Sequence, residues 1–301
     1  MKRIRKYIPL YIMAIPGLAY LVVNNYLPMF GLVIAFKKLD FRLGIWDSPW
    51  AGLQNFSFLF RTKDAFIITR NTILYNAAFI VVGTVLAIAI AILLNEIRSR
   101  LASRLYQSIL LIPYLMSWVV VGYLAFAFLS SDTGYLNKAL LRPLGLQEVS
   151  WYMEKKYWPF ILILVNQWKN IGFTMVVYLA SIVGINKEYF EAARIDGAGK
   201  WKQVRYITLP LLKPTVITLT LLNIGRIFYS DFGLFYQVPR NSGMLYDVTR
   251  TIDVYVYNAL MKNTDYAMAS AASFYQSVVG FVLIIGANLV IRKVNRENAL
   301  F

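Results

Sequence analysis

Six apolar stretches, each about as long as a bilayer-crossing helix, run through the 301 residues of this chain. They cover roughly 7–30, 72–94, 105–128, 159–183, 216–236 and 273–291, and a span needs about 20 mostly apolar residues. Composition agrees: hydrophobic residues make up 58% and charged residues 15%, against about a quarter charged in a soluble domain. The sequence therefore predicts an all-α membrane protein with six transmembrane helices in a single domain spanning 1–301.

The spans differ in character. The second carries no charge. The first contains Pro16, Asn24, Asn25 and Pro28, which predict a kink or an early end. The third holds Pro113, and the fifth holds Arg226 and Asp231, which makes it the least regular. Lys2, Arg3, Arg5 and Lys6 precede the first run. The run is long and has no convincing small-residue cleavage site, so it reads as an uncleaved span rather than a signal peptide.

Lysine and arginine set the direction. With a cytoplasmic N-terminus, the inside segments 1–6, 95–104, 184–215 and 292–301 hold 16 Lys and Arg. The longer outside loops 31–71, 129–158 and 237–272 hold 13, so the inside density is more than twice as high. Six spans then place both termini in the cytoplasm. The first outside loop includes SPWAGLQNFSFLF (48–60), which suits either an interfacial helix or a loop packed on the bundle.

Several function classes fall away. The chain has no His and no Cys, which removes thiol nucleophiles, imidazole bases and the usual zinc ligands. No catalytic residue and no metal site is predicted. The net charge of +16 lies between apolar runs rather than on one domain, and no nucleic-acid motif is present. No G-x-x-x-x-G-K-[ST] sequence occurs. The outside loops are too short to form an independent receptor domain.

One segment has a design of its own. Between spans four and five stands INKEYFEAARIDGAGKWKQVRYITLPLLKP (185–214). Glu188–Ile195 favours a short helix, Asp196 and Gly197 break it, Gly199 adds a second soft point, and Lys200–Tyr206 supports another turn or two. Pro210 and Pro214 re-aim the chain into span five. Tyr189, Phe190 and Trp201 offer apolar anchors among charges. Such a bent pair of helices fits a groove on a cytoplasmic partner.

The segment matches E-A-A-x(3)-G-x(9)-I-x-L-P without a gap, through Glu191, Ala192, Ala193, Gly197, Ile207, Leu209 and Pro210. In this it resembles the EAA loop of permease subunits from binding-protein-dependent ABC importers. PGLAYLVVNNYLPMFGLVIAFKKLDF (16–41), GLQNFSFLF (52–60), LLIPYLMSWVVVGYLAFAFLSSDTGYLN (110–137), WKNIGFTMVVYLASIVGINKEYFEAARIDGA (168–198) and DVTRTIDVYVYNAL (247–260) extend the likeness to the carbohydrate branch, of the polysaccharide and complex-oligosaccharide type. The stretch RIFYSDFGLFYQVPRNSG (226–243) departs from it, with more charge and aromatic content.

The resemblance implies a six-span core like that of the maltose transporter, in a bacterial inner membrane. It implies that Glu191, Ala192, Ala193, Asp196, Gly197 and Ala198 form the coupling contact with an ATPase. Two ATPase subunits, a second permease and an extracellular solute-binding protein are the implied partners, with a sugar or oligosaccharide as substrate. No cofactor is expected on this chain, because ATP and magnesium belong to the ATPase. An importer permease for a non-sugar solute remains an alternative. An ion-coupled carrier is weaker, because spans one to four contain no Asp or Glu.

Polar residues inside the spans mark the candidate pathway. They are Asn223, Arg226, Tyr229 and Asp231 in span five, with Trp168 in span four as an aromatic platform. Arg226 and Asp231 read equally as pathway or as partner-subunit contacts. Lys169 reads as a residue that snorkels or pairs to hold the bundle. Asp253, Tyr255 and Tyr257 read as packing at the mouth or as a face for the binding protein.

Overall fold

The computed structural model describes residues 2–57 and 61–294. Among them every regular element is helical, apart from one isolated antiparallel bridge between Lys37 and Trp50. Five of the described helices are long and apolar enough to cross a membrane, and a sharply bent pair makes a sixth. The described residues separate into two compact units. One joins the chain through Ala65 to Tyr255–Ser277, and the other joins Phe66–Val254 to the chain from Val278 onward.

The first unit opens with α1 (Lys2–Leu21), which continues through a wide π-turn, Val22–Tyr26, and Leu27–Met29 into a tight helix, Phe30–Phe36. The candidate span runs Leu10–Phe36, so Pro28 does not end it. The reason is local. A proline lacks an N–H and collides with the carbonyl four residues back. Here Leu27 bonds instead to Val22, five residues back, and the widened turn accommodates the ring. The same arrangement recurs before Pro143, after Leu136–Leu141, and before Pro210, after Val204–Thr208.

Over 48–57 the chain forms the short 3-10 turn Gln54–Phe56 followed by Ser57 in helical conformation, and 58–60 lie outside the described residues. Asn55 donates to the Ala35 and Lys37 carbonyls, and Phe36, Phe56 and Phe274 form a ring cluster with centroids 5.3–5.9 Å apart.

The second unit contains α2 (Lys63–Asn95, from Phe66), α3 (Arg100–Leu115), α4 (Trp118–Leu129), α5 (Trp158–Val183), α6 (Lys187–Ile195), α7 (Leu209–Ile224) and α8 (Phe232–Gln237). Two further helices, α9 (Ile252–Met261) and α10 (Tyr266–Val294), each have residues in both units.

Two of the predicted spans are broken. The third bends by 97° between α3 and α4. Ser117 starts the second half by accepting from the Val120 amide. The fifth was expected as one helix over 216–236, but α7 stops at Ile224 and α8 begins only at Phe232. Asp231 is the cause of the restart: its Oδ1 accepts from the amides of Gly233 and Leu234, at 3.0 and 3.4 Å.

Two cores hold this unit. One gathers Tyr75, Val121, Trp158, Leu162, Leu234 and Phe235 around the α4–α8 contact. The other gathers Ala87, Ala91, Met175, Tyr178, Ile182 and Leu212 toward the α6 end. Small residues allow close approach: a Cβ on Gly172 would lie 2.0 Å from the Leu110 carbonyl oxygen, so α3 and α5 meet backbone to backbone. In the loops between spans Tyr152 donates to the Val238 carbonyl at 3.2 Å, and burial pushes its phenol up to about 12.

Candidate functional site

A polar cavity of about 200 Å3 lies among α2, α5 and the break after α7. Asn76, Gly83 and Thr84 line it from α2; Asn166, Gln167, Asn170 and Thr174 from α5; Asn223 from the end of α7; and Arg226 and Tyr229 from the break. Asn166, Asn170 and Thr174 are spaced four apart, which puts them in one row along α5. Asn170 donates to Asn166 at 2.9 Å, and Gln167 donates to the Phe79 carbonyl at 3.3 Å. Asn76 offers its amide to the Ile227 and Tyr229 carbonyls, both at 2.9 Å, which fixes the non-helical turn against α2. Irregular backbone at membrane depth survives where protein groups satisfy it in this way.

Three of the predicted pathway residues, Asn223, Arg226 and Tyr229, line this cavity. Trp168 does not. Two residues beyond Asn166, it is turned by about 200° around a helix of 3.6 residues per turn. It lines a separate apolar groove with Phe128, Leu164 and Val165. Asp231 is also elsewhere: besides capping α8, its Oδ2 accepts from the Trp118 indole at 2.7 Å. The carboxamides Asn166 and Asn170 on α5 are not among the predicted pathway residues. Their spacing of four was the available signal.

Lys169 is buried, with 6% of its surface exposed. Its ammonium donates to the Tyr114 carbonyl at 2.9 Å and lies 5.0 Å from the Trp118 ring centre. Among the described residues it binds no carboxylate directly, and its burial shows that it does not snorkel. Asp253 accepts from the Ser230 amide and hydroxyl at 2.7 and 2.6 Å, so it also holds the break in span five.

At the other end, α6 carries the E-A-A positions. Asn186 caps it by accepting from the Glu188 amide. Its C-terminal end is closed by Ala198 N–H to Ala193 O at 2.8 Å and Gly197 N–H to Arg194 O at 3.0 Å. This is the paired closure that requires a left-handed residue after the cap. Gly197 supplies it with φ +72°, and its Cβ position is open space, so conformation alone demands glycine. Gln203 then donates to the Ala198 carbonyl at 2.8 Å.

Glu191, Ala192 and Asp196 are exposed, and Ala193 and Ala198 are half-buried. Of the apolar anchors, Tyr189 and Trp201 stand exposed, whereas Phe190 turns inward and lines a cavity with Ile92 and Ile182. Ile195, which the sequence did not single out, is 87% exposed. Lys200 pairs with Glu96, just past α2, at 2.6 Å.

Residues 80–296 match the family described as "Binding-protein-dependent transport system inner membrane component". Protein LplB of Bacillus subtilis (strain 168) is 32% identical, covering 96% of this chain and 90% of its own length. The polygalacturonan/rhamnogalacturonan transport system permease protein YteP of the same organism is 32% identical, covering 96% and 89%. A chain in the crystal structure of a bacterial ABC transporter involved in the import of the acidic polysaccharide alginate superposes with a TM-score of 0.88. It is 30% identical, and the match covers 98% of both chains. This chain belongs to the binding-protein-dependent transport system inner membrane components.

Proposed function

We propose that this chain forms half of the membrane path of an ATP-driven oligosaccharide importer. An extracellular binding protein delivers the sugar, a second permease supplies the other half of the path, and two separate ATPase subunits bind ATP and magnesium. One observation carries the reading. Outside the spans, α6 presents Glu191 and Ala192 beside the exposed apolar side chains Tyr189 and Ile195 on a helix locked by its Gly197 closure, and Trp201 stands exposed just beyond that closure. Apolar groups left in water at a rigid helix suit a groove on a partner.

The path from that helix to the cavity is short and stiff. The Glu96–Lys200 pair ties the loop to the end of α2, and α2 itself lines the cavity at Asn76 and Gly83. Nineteen helical residues separate Asn95 from Asn76, roughly 28 Å at 1.5 Å each. Closure of the ATPases on cytoplasmic α6 thus moves a helix that touches the sugar. Amide and hydroxyl groups serve sugar hydroxyls, and the Tyr229 ring serves a sugar C–H face. The comparisons agree in kind: relatives are named for polygalacturonan/rhamnogalacturonan and arabinooligosaccharide transport, and a related importer is solved with its sugar-bound periplasmic protein.

The test is isolation of the detergent-solubilised native complex, with each co-purifying chain identified by mass. The expected result is an ATPase with Walker motifs, a second permease and a sugar-binding protein. A chain that purifies alone and drives uptake on an ion gradient without ATP overturns the proposal.

A further inference from the structure

Among the described residues, Arg226 is the only charged one lining the polar cavity. Its guanidinium forms no ion pair among the described residues. The two carboxylates that hold the break in span five are engaged elsewhere. Asp231 caps α8 and holds Trp118, and Asp253 holds Ser230. The C-terminal carbonyls of α7 offset part of the positive charge, since Arg226 follows Ile224 by two residues. That dipole does not use the directional N–H fork. Around it stand neutral groups, Asn223, Asn170 and Tyr229, which are sufficient for hydroxyls. A cation inside a span pairs with an opposite charge or with backbone carbonyls, as Lys169 does; the Arg226 guanidinium has no ion-pair partner among the described residues, and a neutral sugar requires no cation here. The guanidinium fork matches a carboxylate in bidentate geometry.

We propose that Arg226 reads a carboxylate on the transported sugar, so that this permease selects acidic oligosaccharides over neutral ones. The inference rests on the importer function proposed above.

The experiment uses the complete importer, with its own binding protein and ATPases, in proteoliposomes. The probe is a pool of oligouronates of three to six units, their methyl esters, and neutral gluco-oligosaccharides, with luminal contents read by mass spectrometry. The expected result is enrichment of the free acids over their esters by roughly tenfold or more, the scale of one charge-assisted hydrogen-bonding pair. Arg226→Gln should erase that preference, and Arg226→Lys should keep part of it. Equal import of acids and esters by the unaltered importer overturns the role of Arg226 and leaves the importer reading intact. So does an Arg226→Gln importer that imports acids as the unaltered one does, in which case the guanidinium serves the second permease. Import of no sugar at all overturns the importer reading itself. If Arg226→Gln fails to assemble, Arg226→Lys reads the same ratio with the same binding protein: a fall in its acid-to-ester preference assigns the selection to Arg226, and an unchanged preference overturns that role.

Discussion

The Lys169 ammonium lies 2.9 Å from the carbonyl oxygen of Tyr114, at the C-terminal end of the first half of the broken third span. Breaking a helix inside a membrane frees carbonyls that water cannot reach. A cation at that end satisfies them and opposes the negative pole of the half-helix. The same ammonium faces the Trp118 ring, and the Trp118 indole donates to Asp231. Lys169 therefore connects the break in span three to the restart of span five. Lys169→Met keeps the length of the stem and removes the donors. It is expected to lower stability by about 1–3 kcal/mol, the cost of leaving buried carbonyls unpaired. Denaturant unfolding in a fixed detergent would measure this, and a Met variant as stable as the original chain would remove the structural role.

Gly172 and Leu110 give a second prediction. With a Cβ only 2.0 Å from a backbone oxygen, Gly172→Ala cannot be absorbed by a side-chain rotation. The α3 and α5 helices must separate, at an expected cost of about 1–3 kcal/mol. Gly31→Ala is the control, because its Cβ meets nothing within 4 Å. Folded yield after detergent extraction should fall for Gly172→Ala alone. Equal losses in the two variants would show that packing at Leu110 is not the cause.

Much of this architecture was legible in the chain. Long apolar runs mark α2 and α5, because only helices of that length satisfy their own backbone in lipid. The E-A-A spacing placed Gly197 at the one position of the loop that adopts a left-handed backbone. The prolines were visible, but their consequences were not. Pro28 is accommodated by a wider turn, whereas Pro113 is followed by a true break, and the difference lies in Ser117, which caps a new helix. Asp231 stood out as a charge inside a span, yet its work is local capping, which an S-D-F-G sequence also permits. Trp168 adjoins the polar row in sequence but not in space, since neighbours on a helix diverge by about 100°.

The loop closure at Gly197 predicts a separation of coupling from assembly. Any side chain there meets open space but must hold φ near +72°. Gly197→Ala should cost about 1 kcal/mol locally and tilt α6 away from Lys200–Gln203. Gly199, at φ −67°, accepts Ala without strain. In the reconstituted importer, Gly197→Ala should lower sugar uptake per ATP hydrolysed several-fold, while membrane level and complex composition stay unchanged. Gly199→Ala should transport normally. Identical coupling ratios for the two variants would mean that the closure does not set the position of α6.

Asp247 supplies a pH test at the far end of the molecule. The segment Tyr246–Thr249 is anchored to α2, through Arg70 N–H to the Asp247 carbonyl at 2.7 Å and Tyr75 O–H to the Val248 carbonyl at 2.6 Å. It is anchored to the start of α5 by the ion pair between the Asp247 carboxylate and Lys155. The hydrogen bond from Lys155 holds the Asp247 carboxyl below its usual value, with Arg250 and Arg70 adding attraction and partial burial opposing. A depressed carboxylate stabilises the fold fully above its unfolded value, near 3.9, and loses that contribution as pH falls through the lower folded value. Because both side chains are about half exposed, at 47% and 56%, solvent limits the pair to roughly 0.2–1 kcal/mol. Asp247→Asn should therefore be slightly less stable than the original chain at pH 7. The gap should close as pH falls below about 4, and it should narrow with added salt at pH 7. Thermal unfolding of the two proteins in one detergent, scanned from pH 7 to pH 3, reads the difference directly. A gap that stays constant across that range would assign the loss to packing of the segment rather than to the charge.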